Sequence, residues 1–523
     1  MKKMLILAGL LGAASPVFAA DSALTTALAT TPLHHAVSVA LGTLPDSGAV
    51  DTTQHARPSD APATSGAIPT LPVHPCAAPV VSDASATVSD ASSALAIPAC
   101  DGEHKPVSGA IDTDLDDTTS AAADTHDKGP HHQQGGKQAK QDATITATND
   151  DTSAVEVTDG GSLTVTDSTV VSTGKSSKVK KSHEEGQNAG VLAKGASSVT
   201  LTDTTVTTTG TGADAVFAHG SKSKITLTDT TVSTSGTDSN GVVATSSATV
   251  TATDSDVTTT ADDAAAVATT AASGTVKLKR VHLQTAGDDA PAIETTSTVT
   301  ATDTTATTTG DAAVVVAEGN STVTLKDSTL TGGHKKLGAI AIVADSTGSA
   351  ATTSSAVSVT GGSVTATEGA AITVANVKAD VKLKNVDVTA DSGVLVKAAA
   401  NAAFGVKGKN GAVATVTADS ETLSGDLVAD KLSTLSVTLK NGTELTGKVT
   451  NAALTLDDTS TWSVDGNSTL TTLTSTETST ATALDNIEGN GYTVTYDATQ
   501  KANKWLKGKS YKLANGGKLT PKK

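Results

Sequence analysis

The chain has 523 residues, with 54 acidic against 37 basic side chains and a formal net charge of −17. Hydrophobic residues make up 37% and aromatics only 2%, against the roughly 45–50% apolar content of an ordinary soluble domain. These figures exclude a thick globular core and leave a thin, repetitive one of Val, Leu, Ile and Ala. The acidic balance also disfavours nucleic acid, which is held by clustered Lys and Arg.

Met1, Lys2 and Lys3, the apolar run from Met4 to Leu11 and the small-residue site Val17-Phe18-Ala19 have the order of a secretory signal peptide over residues 1–19. No later apolar run reaches the roughly 18–20 residues of a membrane-spanning helix. The mature chain is therefore expected to be secreted, extracellular or surface-associated, in the periplasm or at an outer membrane. Residues 20–142 are rich in Pro, Ala, Ser, Asp and His, and eleven of the fourteen prolines fall between Pro32 and Pro130. Proline removes ladder donors, so this stretch reads as a disordered extension. Cys76 and Cys100 are expected to form one loop-closing disulfide in an oxidising compartment, with a free thiol or an intermolecular bond as the alternatives. His126, His131 and His132 lie in a Gly-rich stretch that reads as a solvated linker before it reads as a metal chelate.

Beyond residue 143 a unit recurs. An alternating strand leads to a Thr-Asp-Ser/Thr corner, a β-branched stretch, a Gly or Asp turn and a second apolar strand. The corner falls at Asp203, Asp229, Asp254, Arg280, Asp303 and Asp327, at intervals of 26, 25, 26, 23 and 24 residues. Such a unit cannot bury its own apolar face, whereas stacked units bury a continuous stripe. The fold expected is all-β: a single right-handed parallel β-helix of Thr-rich repeats over 143–432, with C-terminal rungs and a cap over 433–523. Alternation points Val199, Leu201, Ile225, Leu227, Val250, Val299, Val323 and Leu325 inward and the intervening Thr outward. Insertions at Gly174–Gly186, around His334-Lys335-Lys336 and at Ser346–Ser355 are expected to be outer-surface loops, where binding resides if it is not mere solvation.

The corner aspartates read first as turn residues whose carboxylates accept backbone N–H groups. Arg280 is expected to join them in a charge ladder with Asp254 and Asp303. Asp214, Asp238, Asp262, Asp263, Asp288, Asp289 and Asp311 form a second acidic set in the turns. Calcium is a conceivable guest there, but the Gly-Gly-x-Gly-x-Asp repeat of calcium-binding rolls is absent, so solvated turns are the expectation. No catalytic constellation, cofactor site or metal site is nominated. Glycan-cleaving enzymes on this scaffold need paired carboxylates beside aromatic platforms, and before Trp462 the mature chain has only Phe217 and Phe404.

The stretch from Leu454 to Leu473, in which Trp462 precedes Val464, Gly466 and Ser468, resembles the last rungs of autotransporter-type β-helical passenger domains. The resemblance spans Ser433 to Lys518, and it implies an adhesin-like protein. The segments Gly491–Asp497 and Trp505–Leu513 do not read as strands of a translocator barrel, so a separate secretion or anchoring partner is expected. Trp462, Tyr492, Tyr496, Trp505 and Tyr511 read as aromatics sealing the open end of the solenoid, and the eight lysines from Lys501 to Lys523 as that cap's charge or as an attachment to an acidic polymer. The function expected is non-enzymatic presentation of loops to a cell surface or glycan. The alternative is a secreted polysaccharide lyase or hydrolase.

Overall fold

The computed structural model describes residues 129–270, 273–317, 320–344, 354–475 and 484–522. The signal sequence, Cys76, Cys100, His126 and most of the N-terminal extension lie outside the described residues. So does most of the Ser346–Ser355 insertion.

The described residues form a right-handed parallel β-helix, and each full coil contributes one strand to each of three sheets. One coil shows the pattern: Val216–His219 lies in sheet I, Lys224–Thr228 in sheet II and Thr231–Thr234 in sheet III, before Val242–Thr245 re-enters sheet I. Successive coils pair in parallel and in register. Ile225 lies between Val199 and Val250, and Leu227 between Leu201 and Ala252. Val199, Leu201, Ile225, Leu227, Val250, Val299, Val323 and Leu325 all point into one continuous core.

The first coil starts earlier than the expected boundary at residue 143. His131–Gln134 pairs with Val155–Thr158, and Lys137–Gln141 pairs with Ser162–Thr166. This coil lacks the Val-Thr alternation because a glutamine takes an inward position. Gln133 is 2% exposed, and its Nε2 donates to the carbonyls of Gly135, Gly136 and Ser162 at 2.9, 3.1 and 3.2 Å. The donors of this buried amide are thereby satisfied, whereas its Oε1 is buried without a hydrogen-bond partner among the described residues.

Not every threonine points outward. Thr208, Thr234 and Thr259 end their sheet III strands facing inward, fully buried. Each hydroxyl donates to the carbonyl five residues on, at 2.7, 2.9 and 2.6 Å, which closes the turn back to sheet I. Glycine opens that turn for a steric reason: a Cβ on Gly210 would collide with the carbonyl oxygen of Gly174, and one on Gly236 with that of Gly210, each in the preceding coil.

Sheet I is apolar on its outer face as well. Leu192, Phe217, Val243 and Ala268 form one outer cluster with Ala189 and Ala265. The insertion expected as a free loop instead folds into helix α1 (Val179–Glu185), and the Thr270 hydroxyl donates to the His183 carbonyl at 3.0 Å. A second outer cluster, including Val315, Ala341, Val343 and Ala375, is joined by Leu337 and by Phe404. Both insertions therefore bury apolar surface that the repeats leave over.

Candidate functional site

The corner residues share one column. Asp203 N donates to Thr228 O at 3.2 Å, Asp229 N to Thr253 O at 3.2 Å, Asp254 N to Lys279 O at 3.1 Å, Arg280 N to Thr302 O at 3.0 Å and Asp303 N to Lys326 O at 3.0 Å. With Asp327 they have φ between 47° and 53°, and the column continues through Gly361, Asn385, Ser420 and Asn441. Asp, Asn and Gly are the residues that best tolerate this left-handed conformation.

The carboxylates are not what closes the corner. That is done by the next residue. The hydroxyls of Ser168, Thr204, Thr230, Ser255, Thr304 and Ser328 are buried and donate to the carbonyl two residues earlier at 2.6–3.1 Å. Arg280 makes a two-pronged ion pair with Asp254, Nε to Oδ1 and a terminal nitrogen to Oδ2, both at 2.6 Å. This bond holds the Asp254 carboxyl below its usual range and raises the guanidinium. The charge of Asp303 adds to the latter at longer range.

The turn acids do accept from backbone. Asp262 Oδ1 takes the N–H of Asp288 in the next coil at 2.9 Å, while Asp238, Asp263 and Asp289 occupy left-handed turn positions. Asp214 and Asp311 are different, since both are fully buried. Asp214 accepts from the Asn240 backbone and side chain at 2.7 and 3.0 Å and lies 3.7 Å from His183 Nδ1 on α1. Burial raises the Asp214 carboxyl and pushes Asp311 up to about 7. Both are thus corrections to the solvated turns expected from the sequence pattern. The signal available was the polar residue recurring two places before the first buried valine, as in Asp214-Ala215-Val216 and Asn240-Gly241-Val242. Among the described residues no group of three or more His, Cys, Asp or Glu is placed to hold a metal ion.

The aromatic residues split. Trp462 lies inside the stack between Leu445 and Ile487, fully buried, with Nε1 donating to Gly447 O at 2.9 Å. Tyr496 is buried one coil from the last described strand, and its hydroxyl donates to Lys509 O at 2.9 Å. Trp505 and Tyr511 pack partly buried against the core, whereas Tyr492 is 39% exposed.

The concave feature that best suits a ligand lies beside the His334–Leu337 loop. Backbone bonds between His334 and Gly338 pin its base and Leu337 anchors it in the second outer cluster, so Lys335 and Lys336 stand exposed at a tight tip. Two adjoining hollows of about 570 and 470 Å³ share Lys335, Lys336, Thr367 and Glu368. One continues to Thr309 and His334, the other to Asp391, Ser392 and Lys397. Burial lowers the His334 imidazole, which favours its neutral form. The walls combine Lys, Thr, Ser and carboxylate side chains with Gly310, Gly333, Gly369, Ala370 and Val394, and carry no aromatic ring beyond that imidazole; the exposed lysines and hydroxyls suit a polar, partly anionic ligand.

Residues 153–385 match the sequence profile of the right handed beta helix region, in agreement with the three-sheet coil. No curated protein matches the sequence. Among the described residues no helix is long and apolar enough to cross a membrane.

Proposed function

We propose that the protein is a secreted, non-enzymatic, adhesin-like β-helix. It presents the Lys335–Lys336 loop and its groove to a cell surface or glycan, and a separate partner secretes or anchors it. The observation that carries this reading is the groove itself. A rigid loop offers exposed cations beside hydroxyls, as binding requires, without the aromatic platform that would hold a sugar ring against a catalytic pair. Phe217, Phe404 and Trp462 are committed to packing, so the sugar-stacking surface of a cleaving enzyme has no supply near the groove.

The alternative is a polysaccharide lyase or hydrolase, which would use Glu368 or Asp391 with Lys335, Lys336 or Lys397. The two readings separate in one experiment. The purified chain and the variant Lys335→Ser/Lys336→Ser are applied to a glycan array and to intact cells, and the supernatant of a polyuronate incubation is assayed for new chain ends. Binding that the double variant loses, without new chain ends, is the expected result. Release of oligosaccharides by the parent overturns the non-enzymatic reading.

A further inference from the structure

After Asp497 the sequence holds eight of the chain's 37 basic residues and none of its 54 acidic ones. The structure describes seven of these lysines: Lys501, Lys504, Lys507, Lys509, Lys512, Lys518 and Lys522, all exposed. None enters an ion pair among the described residues. By contrast, Lys180, Lys181, Lys194, Lys326, Lys382, Lys384, Lys440 and Arg280 all do. Apart from Lys522, whose charge reaches the Asp497 carboxylate and helps to lower its pKa, these cations have little counter-charge of their own; their mutual repulsion works against the compact state, so burial of apolar surface does not explain their concentration.

The lysines sit on a built platform. The short helix Lys501–Leu506 is tied to the strand Ser468–Ser475 by Asn503, whose Oδ1 accepts from Leu473 N at 2.9 Å and whose Nδ2 donates to Thr471 O at 2.9 Å. Trp505 Nε1 donates to Leu473 O at 3.0 Å and the Tyr511 hydroxyl to Leu506 O at 2.9 Å. Both rings are held in place and only partly covered, and Tyr492 is the most open aromatic nearby in sequence.

We propose that this cap, residues 498–522, is a docking face for an acidic polysaccharide, separate from the Lys335–Lys336 groove. Lysines supply point charges without the planar fork that selects phosphate, and partly open aromatic faces suit the apolar face of a sugar. Charge density favours the same partner. Duplex DNA carries a charge about every 1.7 Å, which the acidic remainder of this chain opposes strongly. A uronate polymer carries one charge per sugar and is opposed less.

The test measures binding of the full chain to immobilised polygalacturonate at rising NaCl. Parallel arms use duplex DNA and phosphatidylserine vesicles. Lys504→Glu/Lys507→Glu/Lys509→Glu/Lys512→Glu is expected to lose at least tenfold in affinity. The same four positions changed to Arg should retain it, as should Lys277→Glu/Lys279→Glu, and Lys335→Ser/Lys336→Ser is measured alongside to report the groove's own share of the binding. Should the reversal variant misfold by circular dichroism, the corresponding Lys→Gln set replaces it with the same expectation. Binding unchanged in the folded cap variant, equal loss in the Lys277/Lys279 control, or tighter binding to DNA or vesicles than to polygalacturonate overturns the proposal. Loss in the Lys335/Lys336 variant alone would place the polymer in the groove and overturn it too.

Discussion

Glu421 stands where the corner's hydroxyl residue stands in other coils, directly after the left-handed Ser420, φ 60°. It is 2% exposed, and its carboxyl accepts from Val386 N at 3.1 and 3.2 Å. Burial pushes it from an ordinary 4.5 up to about 7, with the charge of Asp419 adding to the rise. Between these values the unfolded chain ionises while the folded chain holds its proton, so the folded state binds more protons and stability falls as pH rises from about 4.5 to about 7. At about 1.4 kcal/mol per pH unit the full displacement corresponds to about 3 kcal/mol, a ceiling that water entry would reduce. Glu421→Gln keeps an acceptor for Val386 N and removes the charge. Urea unfolding monitored by Trp462 and Trp505 fluorescence should show parent and variant closest near pH 4.5 and the variant more stable at pH 8, by up to that amount. Asp311, also near 7, imposes the same trend on both proteins, so the difference curve isolates Glu421. A parent-minus-variant difference that is flat with pH, or a variant less stable at pH 8, would refute the reasoning.

Trp462→Ala should cost about 3–5 kcal/mol, because it empties a fully buried site between two coils and leaves Gly447 O without its donor; the urea midpoint measures it, and a change within error would mean that the coil collapses to fill the space. At the corner, Asp229→Asn should be neutral, and Asp229→Val should lose about 1–2 kcal/mol because a β-branched residue is forced into the left-handed region. Thr230→Val should lose about 1–3 kcal/mol through the missing buried hydroxyl; equal stability for all three variants would show that neither backbone strain nor the hydroxyl controls the corner. Deleting residues 491–523 removes the strands Thr493–Tyr496 and Lys518–Pro521 and uncovers the edge of Ser468–Ser475. Aggregation by light scattering is expected, and a monomer melting like the parent would show that the cap is dispensable for folding.

The repeat, its period and its inward residues were legible in the sequence because strict Val-Thr alternation at near-constant spacing permits only one register in which every apolar side chain finds a neighbour. The fold class and the corner column are determined by that alone. Local pattern could not say what happens where coils meet something other than themselves. His131–Gln141 enters the stack although it lacks apolar alternation, because Gln133 finds three carbonyls that only the neighbouring coil and turn assemble. The insertion at Gly174–Gly186 reads as a charged loop and becomes a helix, because Leu192, Phe217 and Val243 present an outer apolar face that needs a cover. Asp214, Asp311 and Glu421 look like other carboxylates in other turns and corners. Burial, a property of the assembled coils, separates them from the solvated ones and raises their affinity for protons.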